Sequence, residues 1–156
     1  MPDSSRLSII SPEKNQSLRA FGDVGEELAA AYLRRRGYVI VMANFTVPVG
    51  RNRNEAQVTA EIDLVALDGD TLCFVEVKTR TSEAFAPPLS AIDIRKQRQI
   101  TRAAKVYRRI FNVRDIPVRY DAVTVVPRLV GRPKIELVKG FWNDHRFRKK
   151  YWHEAF

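Results

Sequence analysis

Residues 60–67, AEIDLVAL, and 74–80, FVEVKTR, flank an Asp68-Gly69-Asp70 turn signal, and no other part of the sequence constrains the fold as tightly. Both runs are rich in β-branched and aromatic residues with a period of two, so the spacing predicts a hairpin of strands over 61–67 and 71–79. With Gly69 and Asp70 at the tip, residues whose numbers sum to 139 face each other. Ile62, Leu64 and Ala66 then oppose Val77, Val75 and Cys73 on an apolar face, while Asp63 meets Glu76 and Glu61 meets Lys78 on the other. A three-residue loop would set apolar against polar side chains on both faces. A turn at Asp68 and Gly69 keeps the parity and opposes Glu61 to Glu76 instead. Like charges directly opposed across a hairpin, with Cβ atoms about 4.5–5.5 Å apart, repel. A divalent cation such as Mg²⁺ offsets that repulsion through carboxylate oxygens, and a neighbouring lysine suits phosphoryl chemistry. An exposed strand face with ordinary salt bridges accounts for the same spacing.

The rest of the chain frames this hairpin in a single domain, the size that 156 residues support. Residues 18–36 read as a helix stopped by Gly37, and 38–45 as a strand. The polar stretch 46–60 reads as a long connection. A second long helix follows Pro87 and Pro88 and runs to about Asn112, and strands are expected over 118–126 and 133–141. The order αβββαβ predicts an α/β fold with a mixed sheet flanked by helices. Residues 1–17 read as a leader, 18–141 as the domain and 142–156 as a basic, aromatic tail. The sequence contains no apolar run of membrane-spanning length, its N-terminus lacks a signal-peptide pattern, and its single cysteine, Cys73, reads as a packed side chain; together these point to the cytoplasm and to no membrane partner.

Lysine and arginine number 27 against 18 acids, a formal charge of +9 that suits a polyanion. Arg95, Arg98, Arg102, Lys105 and Arg109 recur at helical spacing as one basic stripe, opposite Ile92, Ile100, Ala103, Tyr107 and Ile110. Residues 95–109 contain seven basic residues and no acid, which fits a track for backbone phosphates as well as a solvated outer face. Lys96 falls on the apolar side, where a lysine needs a partner, so it is expected to reach a carboxylate or a substrate phosphate, unless its chain merely passes the core. By spacing alone Glu26 is a solvated carboxylate at the margin of an apolar stripe, and Asp121 an ion-pair partner of Arg119 or a near neighbour. In the tail, Arg146, Arg148, Lys149 and Lys150 alternate with Trp142, Phe147, Tyr151 and Trp152, a mixture that fits unpaired bases and also fits docking onto the domain.

GEELAAAYLRRRGY, AEIDLVA, FVEVKTR, the lysine-bearing helix and RYDAV occur in the same order as the motifs of the YraN-like family of small bacterial proteins, which this chain resembles over residues 18–141. That family is regarded as predicted endonucleases related to archaeal Holliday junction resolvases, with a restriction-endonuclease-like fold and a PD-(D/E)XK site. The resemblance implies Asp63 and Glu76 as metal-binding carboxylates, the Val77 carbonyl as a further metal ligand, Lys78 as the catalytic lysine and Glu26 as an additional acid facing the metal. It also matches Lys96 to a lysine of the family's second helix. Ala60 stands where the family usually has glycine, and the 46–60 stretch is longer than the family leads one to expect.

The expected activity is Mg²⁺-dependent cleavage of DNA, branched or single-stranded forms included, with Mn²⁺ as a substitute ion. The expected contacts to nucleic acid are Arg80, Arg95, Lys96, Arg98, Arg102 and Lys105. Symmetric cutting of a four-way junction would require a homodimer. A module that binds nucleic acid without cutting is the alternative, although it gives no reason for an acidic pair in a basic protein. A third reading, a partner-binding protein that uses its tail, predicts that loss of 142–156 abolishes the interaction and spares DNA affinity.

Overall fold

The computed structural model of the protein describes residues 24–80, 92–128 and 130–147. Helix α1, Val24–Arg35, ends where Gly37 adopts φ 89° and the Tyr38 N–H donates to the Leu33 carbonyl at 3.0 Å, a left-handed stop suited to glycine. Strands β1 (Val39–Arg51), β2 (Gln57–Asp68) and β3 (Thr71–Thr79) form an antiparallel meander. Helix α2, Ile94–Ile110, leads to β4 (Val118–Val126), which runs parallel to β3. Strand β5 (Lys134–Trp142) returns antiparallel to β4, and a short 3₁₀ turn, Asp144–Phe147, follows. The five strands lie side by side in chain order, with β1 and β5 at the edges. This α/β architecture, a mixed sheet with two helices, is consistent with a restriction-endonuclease-like core. Among the described residues no helix is long and apolar enough to cross a membrane.

The two sheet faces are buried separately. Ala29, Ala30 and Leu33 of α1 pack with Leu64, Ala66, Cys73, Val75, Val77, Val123 and Val125. On the other face Ile100, Ala103, Ala104 and Tyr107 of α2 pack with Val65, Phe74, Tyr120 and Trp142. Strands β2 to β4 are thus covered on both sides, which explains their long apolar runs. Cys73 is fully buried, and burial raises its thiol pKa to about 12, as expected of a packing residue.

Four expectations are corrected. The 46–60 stretch is not a connection: β1 continues to Arg51, β2 starts at Gln57, and Val47 pairs with Ala60. The apolar sides of Phe45 and Val47 hold this arm on α2, with Phe45 edge-on to Tyr107 at 5.2 Å. Ile62 leaves the face of Leu64 and joins the α2 side, near a kink where Asn44 takes φ 53°. Ile110, placed by its spacing on the buried side of α2, faces solvent, while Phe111, with its ring 4.6 Å from that of Tyr107, packs on the core at the end of the helix. The N-terminal leader, the helical start over 18–23 and the tail beyond Phe147 lie outside the described residues. Trp142, taken as the start of the tail, is the buried last residue of β5, stacked on Tyr120 at 5.1 Å with its Nε1 donating to the Thr101 hydroxyl at 3.0 Å.

Candidate active site

The hairpin register is the one with residue numbers summing to 139: Asp68 pairs with Thr71 around Gly69, at φ 58°, and the ladder runs through Ala66–Cys73 to Leu64–Val75. It stops there. From that point β2 stays with β1 while β3 stays with β4, so the sheet forks. Asp63 therefore does not sit in a ladder opposite Glu76, nor Glu61 opposite Lys78. Instead an Asp63 carboxylate oxygen accepts the Val77 N–H at 2.8 Å, satisfying a backbone donor that the fork takes from the ladder.

Four acids gather at the fork. Oxygens of Glu26, Glu61 and Asp63 lie within 4.8 Å of one another, and Glu76 comes close enough to perturb Asp63. Burial, then the Glu76 charge, push the Asp63 carboxyl up to about 8; the Val77 N–H acts the other way, and contact with Glu76 and the charge of Glu26 add to the rise. Glu76 is only 2% exposed. One of its oxygens faces two ammonium groups, Lys78 Nζ at 3.3 Å and Lys96 Nζ at 3.7 Å. The other, Oε2, is buried with no hydrogen-bond partner among the described residues.

Local structure explains the two lysines. Lys78 lies two residues beyond Glu76 on β3 and shares its face. Lys96 is set by the start of α2, where the Asp93 side chain accepts the Lys96 N–H at 2.9 Å; side chains in a first turn lean back towards the N-terminus, here towards Glu76.

A hard divalent cation matches this donor set. The chain carries +9 overall yet concentrates four carboxylates at one point, with one buried oxygen unpartnered and one acid held far from its ordinary pKa. Oxygen-only donors are what Mg²⁺ or Mn²⁺ takes. The structure draws Asp63, Glu76, Lys78, Lys96 and Glu26 together. Val77 lies between the two catalytic candidates on β3 with its side chain buried. Arg80, just past β3, donates its N–H to the Val125 carbonyl at 2.8 Å and is half-buried. Arg95, Arg98, Arg102 and Lys105 are exposed on α2, and the Arg98 guanidinium lies 5.8 Å from the centre of the Phe147 ring.

Sequence reasoning missed Glu61 as a member of the cluster. Its position two residues before Asp63 was a usable signal, since the two share a strand face, but pairing it with Lys78 assumed that the ladder continued. Asp121 is fully buried among Arg119 Nε at 2.7 Å, the Tyr38 hydroxyl at 3.3 Å and the Gly140 N–H at 2.9 Å, a structural network that also engages Asp68.

The pattern of UPF0102, described as an uncharacterised protein family, matches residues 25–125. The chain belongs to this family. A UPF0102 protein of Solibacter usitatus is 44% identical over 119 residues, 76% of this chain and 83% of that protein. One from Geotalea uraniireducens is 39% identical over 121 residues, covering 78% and 87%. Another, from Bacteroides thetaiotaomicron, is 40% identical over 105 residues, covering 67% and 78%. The YraN-like motifs are therefore those of UPF0102. The UPF0102 match contains α1 through nearly all of β4, and with them all four acids and both lysines.

Proposed function

We propose that the protein is a metal-dependent endonuclease that hydrolyses phosphodiester bonds in DNA, structured or branched DNA included. The observation that carries this reading is Glu76: a buried carboxylate with one oxygen against two lysines and the other unpartnered, beside a crowded set of acids. A purely structural ion pair gains nothing from leaving that oxygen bare.

Asp63, Glu76, Glu26 and Glu61 are the residues that would hold Mg²⁺ or Mn²⁺, with the Val77 carbonyl as a further ligand by family resemblance. Bound there, the ion supplies Lewis-acid polarisation of the phosphate and a lowered pKa for water. Lys78, 28% exposed, reaches from Glu76 towards solvent and serves to orient the attacking water or to stabilise the negative charge on the pentacovalent phosphorus. Lys96, 33% exposed, is placed to contact a non-bridging phosphate oxygen. Water oxygen bonds to phosphorus as the bond to the 3′ oxygen breaks and that oxygen gains a proton, leaving a 5′ phosphate and a 3′ hydroxyl.

The test is cleavage of labelled linear, flapped and four-way DNA with Mg²⁺, Mn²⁺ or chelator, beside Asp63→Asn and Lys78→Met. Metal-dependent cutting that falls by about 10²-fold or more in both folded variants is expected. Salt-sensitive binding with no cutting under either metal would refute the nuclease.

A further inference from the structure

The β1–β2 arm carries a role that the acidic site leaves unexplained. It extends from the sheet as paired strand to Arg51 and Gln57, and its base is packed on α2 through Phe45 and Val47. Its tip is bonded to itself: Arg51 Nη1 donates to the Glu55 carbonyl at 2.7 Å, and the Asn52 side chain accepts the N–H groups of Asn54 and Ala56 at 2.9 and 3.0 Å. The arm is therefore a stiff wall. Between it and α2 lies an open groove of about 360 Å³, lined by Pro48, Val49 and Val106 and by the exposed cations Arg102, Lys105 and Arg109. No acid lines it.

We infer that this groove grips one phosphodiester strand of the substrate, on the side of α2 leading away from the reacting phosphate. This deepens the nuclease reading and rests on it for the word substrate. Charge complementarity selects the occupant, because three cations beside an apolar wall fit phosphates whose sugars lie against Pro48 and Val49. Helix geometry gives the distance. Lys96 marks the acidic site, and Arg102 to Arg109 lie six to thirteen residues further along α2. At 1.5 Å per residue that is about 9–20 Å, or about three to six nucleotide steps at 3.4 Å. The arm thus converts a basic helix face into a channel with a defined register to the cut.

The test measures binding of the full chain to a fluorescent DNA duplex in chelator, from 50 to 200 mM salt, so that cleavage plays no part. The probes are wild type, Arg102→Gln/Lys105→Gln/Arg109→Gln, and Pro48→Glu, which places an acid on the arm wall facing the cations; thermal melts check folding. The triple variant is expected to lower the slope of log K against log salt by about 2–3. Pro48→Glu is expected to weaken binding at least fivefold. An unchanged slope in the triple variant overturns the proposal. Wild-type binding by a folded Pro48→Glu also overturns it, since the helix face alone would then suffice. Binding to anionic lipid vesicles but not to DNA does so too. Groove-dependent binding without any cutting would sink the nuclease and leave the groove standing, whereas cutting with normal binding by the groove variants would do the reverse.

Discussion

Replacing Asp63 by asparagine should stabilise the metal-free protein at neutral pH, by an amount that grows with pH. In the folded chain the Asp63 carboxyl is raised from 3.8 to about 8, chiefly by burial and then by Glu76. The contribution of a group raised in this way is fully present below its unfolded pKa and is lost as pH climbs to the folded one. Between those limits the folded state holds one proton more than the unfolded state, so stability falls by about 1.4 kcal/mol per pH unit. From pH 5 to pH 7 that amounts to about 3 kcal/mol, or about 5–11 °C in melting temperature for a chain of this size. Asparagine keeps an oxygen to accept the Val77 N–H and carries no charge, so this component of the slope disappears. The assay is thermal and urea unfolding in chelator at pH 5 to 9 for both proteins. The stability difference in favour of Asp63→Asn should widen by about 3 kcal/mol between pH 5 and 7 and level off above about pH 8. Excess Mg²⁺ should narrow it, because the ion binds only the folded wild-type cluster well. A difference that is the same at pH 5 and pH 7 would refute the crowded-carboxylate account.

Glu61→Gln should weaken Mn²⁺ or Mg²⁺ binding roughly tenfold in calorimetry while the fold persists, since it removes one anionic donor from the cluster. Arg119→Met should destabilise the protein by about 3–5 kcal/mol in urea unfolding, because Asp121 is left buried with its charge poorly compensated; Arg119→Lys should not restore it, as it lacks the second donor of the fork. Trp142→Ala should cost about 3–5 kcal/mol through loss of the stack on Tyr120, whereas Trp142→Phe should cost only about 1 kcal/mol for the bond to Thr101.

The central hairpin was legible because its signal is strictly local: Gly69 at the turn and one parity that leaves Leu64, Ala66, Cys73 and Val75 on a single apolar face. Strand β4 was legible from its local richness in β-branched residues, Val118, Val123, Thr124, Val125 and Val126. The arm was hidden because Pro48, Gly50 and the Asn-rich turn look like loop chemistry, while its pairing with 57–60 draws support from α2, which lies beyond β3 in the chain. Asp63, Glu76 and Lys78 could be read from spacing together with family motifs. The grouping of Glu61 with Glu26 could not, because the point where β2 parts from β3 depends on Asp63 capturing the Val77 N–H, a tertiary choice without a sequence period. Spacing put Lys96 on the right side of α2, and the Asp93 cap then aims it at Glu76.

The edges of the sheet bear on how copies of this protein can associate. Pro48 has no N–H to offer a neighbour, and β1 breaks register between Ile40 and Met42 and again between Pro48 and Gly50. On the opposite border β5 is kinked, with Gly140 at φ 63°, and projects Lys134 and Lys139. Both margins thus resist strand addition, the route by which flat sheets polymerise into fibres. A concentrated solution should therefore stay free of cross-β aggregates despite a core strand as apolar as β3, and any association between copies would use surfaces other than the strand edges.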